Sequence, residues 1–250
     1  MQNISFFTSV FKCSKWLNGF LKNITNLPGF ENCELILYQP ANPEKEAEKD
    51  IIKPFLSDNV KLFEDKESLP LYETWNRAIK KCKFDWVSNA NPDDRKLPNF
   101  IKDFSAEIDS GEDVYYADNI VARNEDELIL RKRPTLRHFM PGCSAANLII
   151  YNPPHNAPVW NKKWAPKVGW FSDKFGHAGD HDFWMKCLES GAKFKKIDPV
   201  CGIYFLNPLG LSTSGQDNSG SQRIKEKYAR RFGYKGSVHG KMEDIIKPLF

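Results

Sequence analysis

Through residues 1–100, short runs apolar at nearly every position alternate with longer stretches whose apolar residues recur every three or four places. The runs are Ile4–Val10, Cys33–Tyr38, Val60–Phe63 and Phe84–Ser88. Almost none of them has a polar face, which is the pattern of strands covered on both sides in a parallel sheet. Between the first two, Trp16, Leu17, Phe20, Leu21 and Ile24 recur at helical spacing, with Ser14 placed to cap the helix. Glu44 to Phe55 predicts a charged surface helix and Leu71 to Lys80 another helix. Pro28-Gly29 and the cluster Gln39-Pro40-Ala41-Asn42-Pro43 break the chain between elements. Strand and helix in alternation predict an α/β fold with crossover helices. The breakers after the first, second and fourth strands then share one sheet edge, where open α/β sheets bind ligands.

The second half is less regular. It predicts a helix over Phe100–Ile108, strands over Asp113–Asp118 and Glu127–Arg131, and a basic, proline-bearing loop from Arg131 to Pro141. Cys143–Tyr151 is apolar enough for helix or strand. Asn152–Pro166, with four prolines and two tryptophans, reads as an ordered loop without a regular element. A helix over Asp180–Ser190 is closed by Gly191, and strands follow at Lys193–Ile197 and Gly202–Leu206. Gly210–Ser221 is rich in Ser and Gly, and a basic helix spans Arg223–Phe232.

Composition bounds the function. The 250 residues, 41% hydrophobic, suffice for one large α/β domain or two small ones, with a real core. A net charge of +4 without a run of five like charges argues against a nucleic-acid arm and fits a phosphate-bearing ligand or an anionic membrane surface. The six cysteines form no C-x-x-C pair, and no secretory signal or eighteen-residue apolar segment is visible. The expectation is a reduced, cytoplasmic protein, at most peripheral to a membrane. Neither G-x-G-x-x-G nor G-x-x-x-x-G-K-[ST] occurs.

The candidate chemistry lies in Trp86-Val87-Ser88-Asn89-Ala90-Asn91-Pro92-Asp93-Asp94-Arg95-Lys96-Leu97-Pro98. A strand ends here in a turn with two adjacent carboxylates, which repel unless a cation neutralises them. Mg²⁺ or Mn²⁺ suits carboxylate oxygens and shares them with substrate phosphates. Taken alone, the stretch reads better as a solvated Asn-Pro-Asp-Asp turn, since short motifs match often by chance.

Four pieces in order resemble inverting family 2 glycosyltransferases of the GT-A fold. Phe7–Phe11 resembles the opening strand beside the nucleotide base, and Trp75–Cys82 resembles R-N-x-G/A-I-x-x-A. Asn91–Pro98 resembles D-A-D-D-x-x-x-P, the D-x-D motif. Val168–Asp173 with Gly179–Lys186 and Gly191 resembles G-x-F-D/E…E-D-x-D-L-W-x-R…G. The resemblance runs over about residues 4–213, and Asn207–Thr213 is similar to the closing segment near the phosphates. It departs at Asn91 with Pro92, at Gln39-Pro40 in place of an acidic pair, and at Gly179 in place of Glu. Each departure removes negative charge.

The resemblance implies one GT-A domain over residues 1–250, its mainly parallel central sheet flanked by helices. About 1–100 would bind nucleotide, about 101–222 acceptor, and 223–250 would form a helical tail. It implies Asp180 as general base, Asp93 as ligand of Mn²⁺ or Mg²⁺, and a donor site of Thr8, Val10, Gln39, Asn42, Asn76, Asn91, Asp94 and Ser212. Acceptor contacts would come from His181, Trp170, Met140 and Gly142, with Asp182 supporting the helix N-terminus. His181 is equally well read as a structural histidine, and Trp160, Trp164 and Trp170 as core plugs. The implied function is hexosyl or related transfer in polysaccharide assembly, from a nucleotide sugar (a UDP-sugar is expected) to a glycan or lipid-linked acceptor. The rival is a GT-A module that has lost catalysis and binds glycans or partners. Nucleotidyl transfer would need a glycine-rich loop, and Thr8–Lys15 contains no glycine.

Overall fold

The computed structural model describes residues 2–211 and 219–249. Along the chain lie β1 (Ile4–Ser9), α1 (Ser14–Thr25), β2 (Glu34–Gln39), α2 (Lys45–Ile52), β3 (Val60–Glu64), α3 (Leu71–Lys81), β4 (Trp86–Asn89) and β5 (Arg95–Lys96). There follow α4 (Phe100–Glu107), β6 (Val114–Ala122), α5 (Glu125–Leu128), β7 (Leu136–His138), α6 (Ala145–Tyr151), β8 (Val159–Asn161) and α7 (Trp164–Val168). The last are α8 (Gly179–Glu189), β9 (Phe194–Phe205), α9 (Ser219–Arg231) and β10 (Ile246–Pro248).

The strands form one sheet in the order β10-β7-β6-β8-β4-β1-β2-β3, with β9 joined to β6 and β5 to β9. From β3 through β2 and β1 to β4 all pairing is parallel, as expected. Both faces of β1, β2 and β4 are buried, which explains their apolar runs, while the edge strand β3 leaves Lys61 and Glu64 exposed. Phe7, Ile36 and Tyr38 face α3 and share one buried cluster with residues of α8 and α9. Phe6, Leu35 and Leu37 pack on α1 and α4. Beyond β4 the sheet is mixed: β8 is antiparallel to both β4 and β6, while β9 runs parallel to β6.

Several expectations needed correction here. Glu127–Arg131 is not a strand. The Asn124 side chain accepts from the Glu127 N–H and starts the helical turn α5. Asn152–Pro166 contains β8, which sits inside the sheet. Pro153 and Pro154 start a 3₁₀ turn at Pro153–Asn156, Pro158 precedes the strand and Pro166 falls in the first turn of α7, all places where a missing N–H costs little. The two strands expected near 193–206 are one bent β9. Its ladder with β6 breaks between Ile197 and Gly202, so Pro199 falls where no pairing is needed. The tail after α9 is not helical throughout, since β10 pairs with β7. Ser14 does not cap α1 with its side chain. Instead the backbone N–H of Cys13 donates to Glu48 Oε1 (2.8 Å) and that of Ser14 to Glu44 Oε2 (3.2 Å). Carboxylates from α2 thus serve the positive end of α1.

Glu48 is therefore not part of a solvated helix face. It is fully buried, and its carboxylate also accepts from Gln39 Nε2 (2.9 Å) and Asn42 Nδ2 (3.0 Å). Truncation would leave the buried Cys13 N–H without its acceptor and take one acceptor each from the Gln39 and Asn42 amides, which keep the Lys45 and Pro40 carbonyls. Glu48→Ala is expected to lower unfolding free energy by about 3 kcal/mol. Glu48→Gln, which keeps one oxygen acceptor, should cost less. Urea midpoints of the three proteins check the ranking.

Candidate functional site

The four parallel strands all end at the same edge, and the polar turns that follow them meet there. At the end of β1, Thr8 and Val10 are buried, and the Val10 N–H donates to the Tyr38 carbonyl (2.9 Å). At the end of β2, Gln39 Nε2 donates to Glu48 and to the Lys45 carbonyl (3.1 Å), while its Oε1 is buried without a partner. Asn42 is committed locally. Its Nδ2 donates to Glu48 and the Pro40 carbonyl (3.2 Å), and its Oδ1 accepts from the Glu44 N–H (2.9 Å), starting α2. Glu48, overlooked because a lone Glu on a charged helix gives no signal, organises this corner.

At the end of β4, the Asn91–Asp94 turn separates its two carboxylates by environment. Asp94 is buried, and its oxygens accept from the Phe205 N–H (2.9 Å) and Asn91 Nδ2 (3.1 Å). Burial, then the neighbouring Asp93 charge, push its carboxyl up to about 7. Asp93 is partly exposed, and its Oδ2 accepts from Asn207 Nδ2 (2.9 Å). Its Oδ1 remains available. The turn is held from beneath by the buried Arg95, whose guanidinium donates to the carbonyls of Pro92 (2.9 Å) and Asp94 (2.6 Å). Buried Lys96 donates to the Asn89 carbonyl (3.1 Å).

Among the described residues no cluster of three His, Cys, Asp or Glu could hold a metal ion. A cation that takes one carboxylate and completes its shell with phosphate oxygens and water still fits Asp93. Asp94, with both oxygens engaged, is a supporting group.

Asp180 lies in the first turn of α8 and is partly exposed. Its Oδ1 accepts from the Tyr72 hydroxyl (3.2 Å) and its Oδ2 from Asn152 Nδ2 (3.0 Å). Tyr72 stands in the first turn of α3, which starts at the edge where β3 ends, so Asp180 faces the same edge as Asp93. Burial raises the Asp180 carboxyl, and the Asn152 and Tyr72 donors work against that shift. The Tyr72 phenol, itself raised by burial, keeps its single proton, shared between the His177 carbonyl (2.5 Å) and Asp180 (3.2 Å). Asn152 reaches Asp180 from a left-handed backbone conformation (φ 48°) that Asn tolerates better than most residues. Gly179 has a steric reason. A Cβ there would lie 2.5 Å from the Tyr72 ring and 2.2 Å from the Ser172 carbonyl oxygen. Tyr72 occupies the space that a Glu at 179 would need.

Other expected site residues serve the framework. Asn76 gives its amide to the Phe171 backbone in both directions (2.9 and 3.1 Å). His181 is buried, pushed down to about 4, and bonded through Nε2 to the Leu148 carbonyl (2.7 Å), so it joins α8 to α6 as a neutral ring. Asp182 does not cap α8. It accepts from Lys227 (2.8 Å) and Tyr228 (3.0 Å) of α9. Met140 is buried, its N–H donating to Asp118 Oδ1 (2.7 Å). Gly142 is exposed and its carbonyl accepts from Asn147 (2.8 Å). Trp170 is partly exposed under the Lys80 ammonium (4.7 Å), whereas Trp160 and Trp164 are buried core residues. Ser212 and Thr213 lie outside the described residues.

The profile of glycosyl transferase family 2 matches residues 5–163. None of the curated proteins matches the chain. Among solved structures, the chain is similar to S. aureus TarS 1-349 in complex with UDP-GlcNAc, with 14% identity and a TM-score of 0.66 over 94% of this chain and 73% of that one. Against S. aureus TarS itself the TM-score is 0.63 at 14% identity, over 95% of this chain and 44% of that one. The mannosyltransferase PcManGT from Pyrobaculum calidifontis, in complex with GDP-Man and Mn²⁺, gives 0.61 at 11% identity, over 94% and 76%. These likenesses show the fold.

The Asp180 contacts make a prediction that needs no substrate. Tyr72→Phe removes a donor that favours the ionised carboxylate, so the Asp180 titration should move to higher pH. Carboxyl ¹³C NMR of the two proteins reads the shift. An unmoved titration would mean that the Tyr72 hydroxyl does not tune Asp180.

Proposed function

The chain belongs to glycosyl transferase family 2, whose profile spans residues 5–163 of its 250, and we propose that it transfers a sugar from a nucleotide-sugar donor, a UDP-sugar, to a hydroxyl of a glycan or lipid-linked acceptor with inversion. The observation that carries this reading is a pairing at one sheet edge. Asp93 keeps an oxygen available after β4, and Asp180 is held by two donors at the start of α8. TarS in complex with UDP-GlcNAc and PcManGT in complex with GDP-Man and Mn²⁺ support a nucleotide-sugar donor.

In this mechanism Asp180 accepts the proton of the acceptor hydroxyl as its oxygen bonds to the anomeric carbon. The bond from that carbon to the diphosphate breaks on the opposite face, so the configuration inverts and the nucleoside diphosphate departs. Tyr72 and Asn152 fix the orientation of the Asp180 carboxylate and leave it lone pairs for the incoming proton. A divalent cation bound at Asp93 would neutralise the diphosphate as negative charge collects on it. Asn91, Asp94 and Arg95 hold the turn that presents Asp93. A module that binds glycans without transfer is the second reading, favoured by the inward engagement of Gln39 and Asn42.

Asp180→Asn keeps the shape and one of the two acceptor oxygens but removes basicity. Transfer is expected to fall by about 10²–10⁴-fold with UDP-sugar affinity near wild type. A near wild-type rate would reduce Asp180 to a structural acceptor for Tyr72 and Asn152.

Asp93→Ala should weaken Mn²⁺-dependent UDP binding at least about tenfold, with thermal unfolding nearly unchanged because Asp93 is partly exposed. Calorimetry with UDP, with and without Mn²⁺, measures this, and unaltered binding would remove Asp93 from the metal site. Detectable transfer by the wild-type chain excludes the binding-module reading.

A further inference from the structure

The four most exposed large apolar side chains among the described residues are Leu209 (88%), Leu130 (54%), Leu211 (50%) and Ile129 (47%). All four leave the sheet at one edge. Ile129 and Leu130 follow β6 through α5, and Leu209 and Leu211 follow β9, which runs parallel to β6. Past the strands the two segments stay joined, the Leu206 N–H donating to the Ala122 carbonyl (2.9 Å). The Glu125–Lys15 ion pair (2.7 Å) ties α5 to the start of α1, so this is the edge that also carries Asp93. Phe11, 39% exposed, leaves β1 there too.

Charge accompanies the apolar groups. Arg131, Lys132 and Arg133 follow Leu130 and are all exposed. The three preceding acids are each engaged: Glu125 with Lys15, Asp126 with Lys132 (3.7 Å) and Glu127 with Arg123 (3.0 Å). Neither Lys12 nor Arg131 forms an ion pair among the described residues. The 129–132 turn is built rather than frayed. The Leu130 N–H donates to the Glu127 carbonyl (3.2 Å) and that of Lys132 to the Asp126 carbonyl (3.1 Å). Leu130 takes a left-handed conformation (φ 60°) that is unfavourable for Leu, and still its side chain is turned to solvent.

We propose that this edge docks on a bilayer containing anionic phospholipid. Ile129, Leu130 and Leu209 enter the boundary between headgroups and acyl chains, and Arg131 and Lys12 meet the lipid phosphates. The sheet edge carrying Asp93 and Asp180 then faces the lipid surface, which narrows the acceptor of the proposed transfer to one presented there. A bilayer accepts side chains from separate loops without shape complementarity. A protein partner would instead be anchored by Trp, Tyr or Arg in a packed centre, with Leu under-represented, and the exposed large apolar set contains neither Trp nor Tyr.

The test is co-sedimentation of the full chain with phosphatidylcholine vesicles, with and without about one-third phosphatidylglycerol. Binding is expected only to the anionic vesicles and should weaken as salt is raised. The double variant Ile129→Ser/Leu130→Ser and the single variant Arg131→Glu should each lower vesicle affinity at least about tenfold. Melting temperature and UDP calorimetry should stay at wild type in both, so a failed donor site would be seen separately. No binding to anionic vesicles, equal binding to neutral ones, or wild-type affinity in both variants would overturn the proposal.

Discussion

Parallel pairing from β3 to β4, with both faces of β1, β2 and β4 buried, is the constraint from which the rest follows. A strand covered on both sides has no place for a polar side chain except at its ends. Parallel strands also point all those ends the same way. Gln39 and the Asn91–Asp94 turn are therefore neighbours because the sheet leaves them nowhere else to go. The same geometry starts α3 at this edge and lets Tyr72 reach Asp180.

Within that edge the acids are sorted by how fully they are engaged. Glu48 takes three donors and works as a buried anchor for two strand-helix junctions. Asp94 takes two and supports its turn. Asp180 takes two but remains partly exposed, and Asp93 takes one. A buried carboxylate without donors would be costly, so full engagement marks structural acids and incomplete engagement marks those available to a ligand.

Much of the first half was legible because period and burial agree there. Apolar runs, helical spacing and breaker clusters all pointed to the same elements. The second half was harder because its signals compete. In 152–166 the prolines outweighed a three-residue strand whose place depends on β4 and β6, both remote in sequence. At Glu127 a side chain–backbone bond from Asn124 overrode local strand propensity. The Asp93 and Asp180 positions were legible from motif spacing, but their partners were not. Tyr72 and Asn152 lie 108 and 28 residues from Asp180, and nothing local links them to it. Asn76 and His181 fit the pattern of site residues, yet they spend their polar atoms on backbone groups that only the folded chain brings near.

The placement of β8 also bears on how the chain is made. β4 has β1 on one side, and its other side waits for β8, about 70 residues later. At roughly 5–20 residues per second, a ribosome needs several seconds to deliver it. During that interval the nascent sheet shows an open edge at its centre rather than at its rim, where pairing with another nascent chain would block completion. Lys83 and Asp85, just ahead of β4, put charge beside that edge and disfavour such pairing until Trp160 arrives to close it.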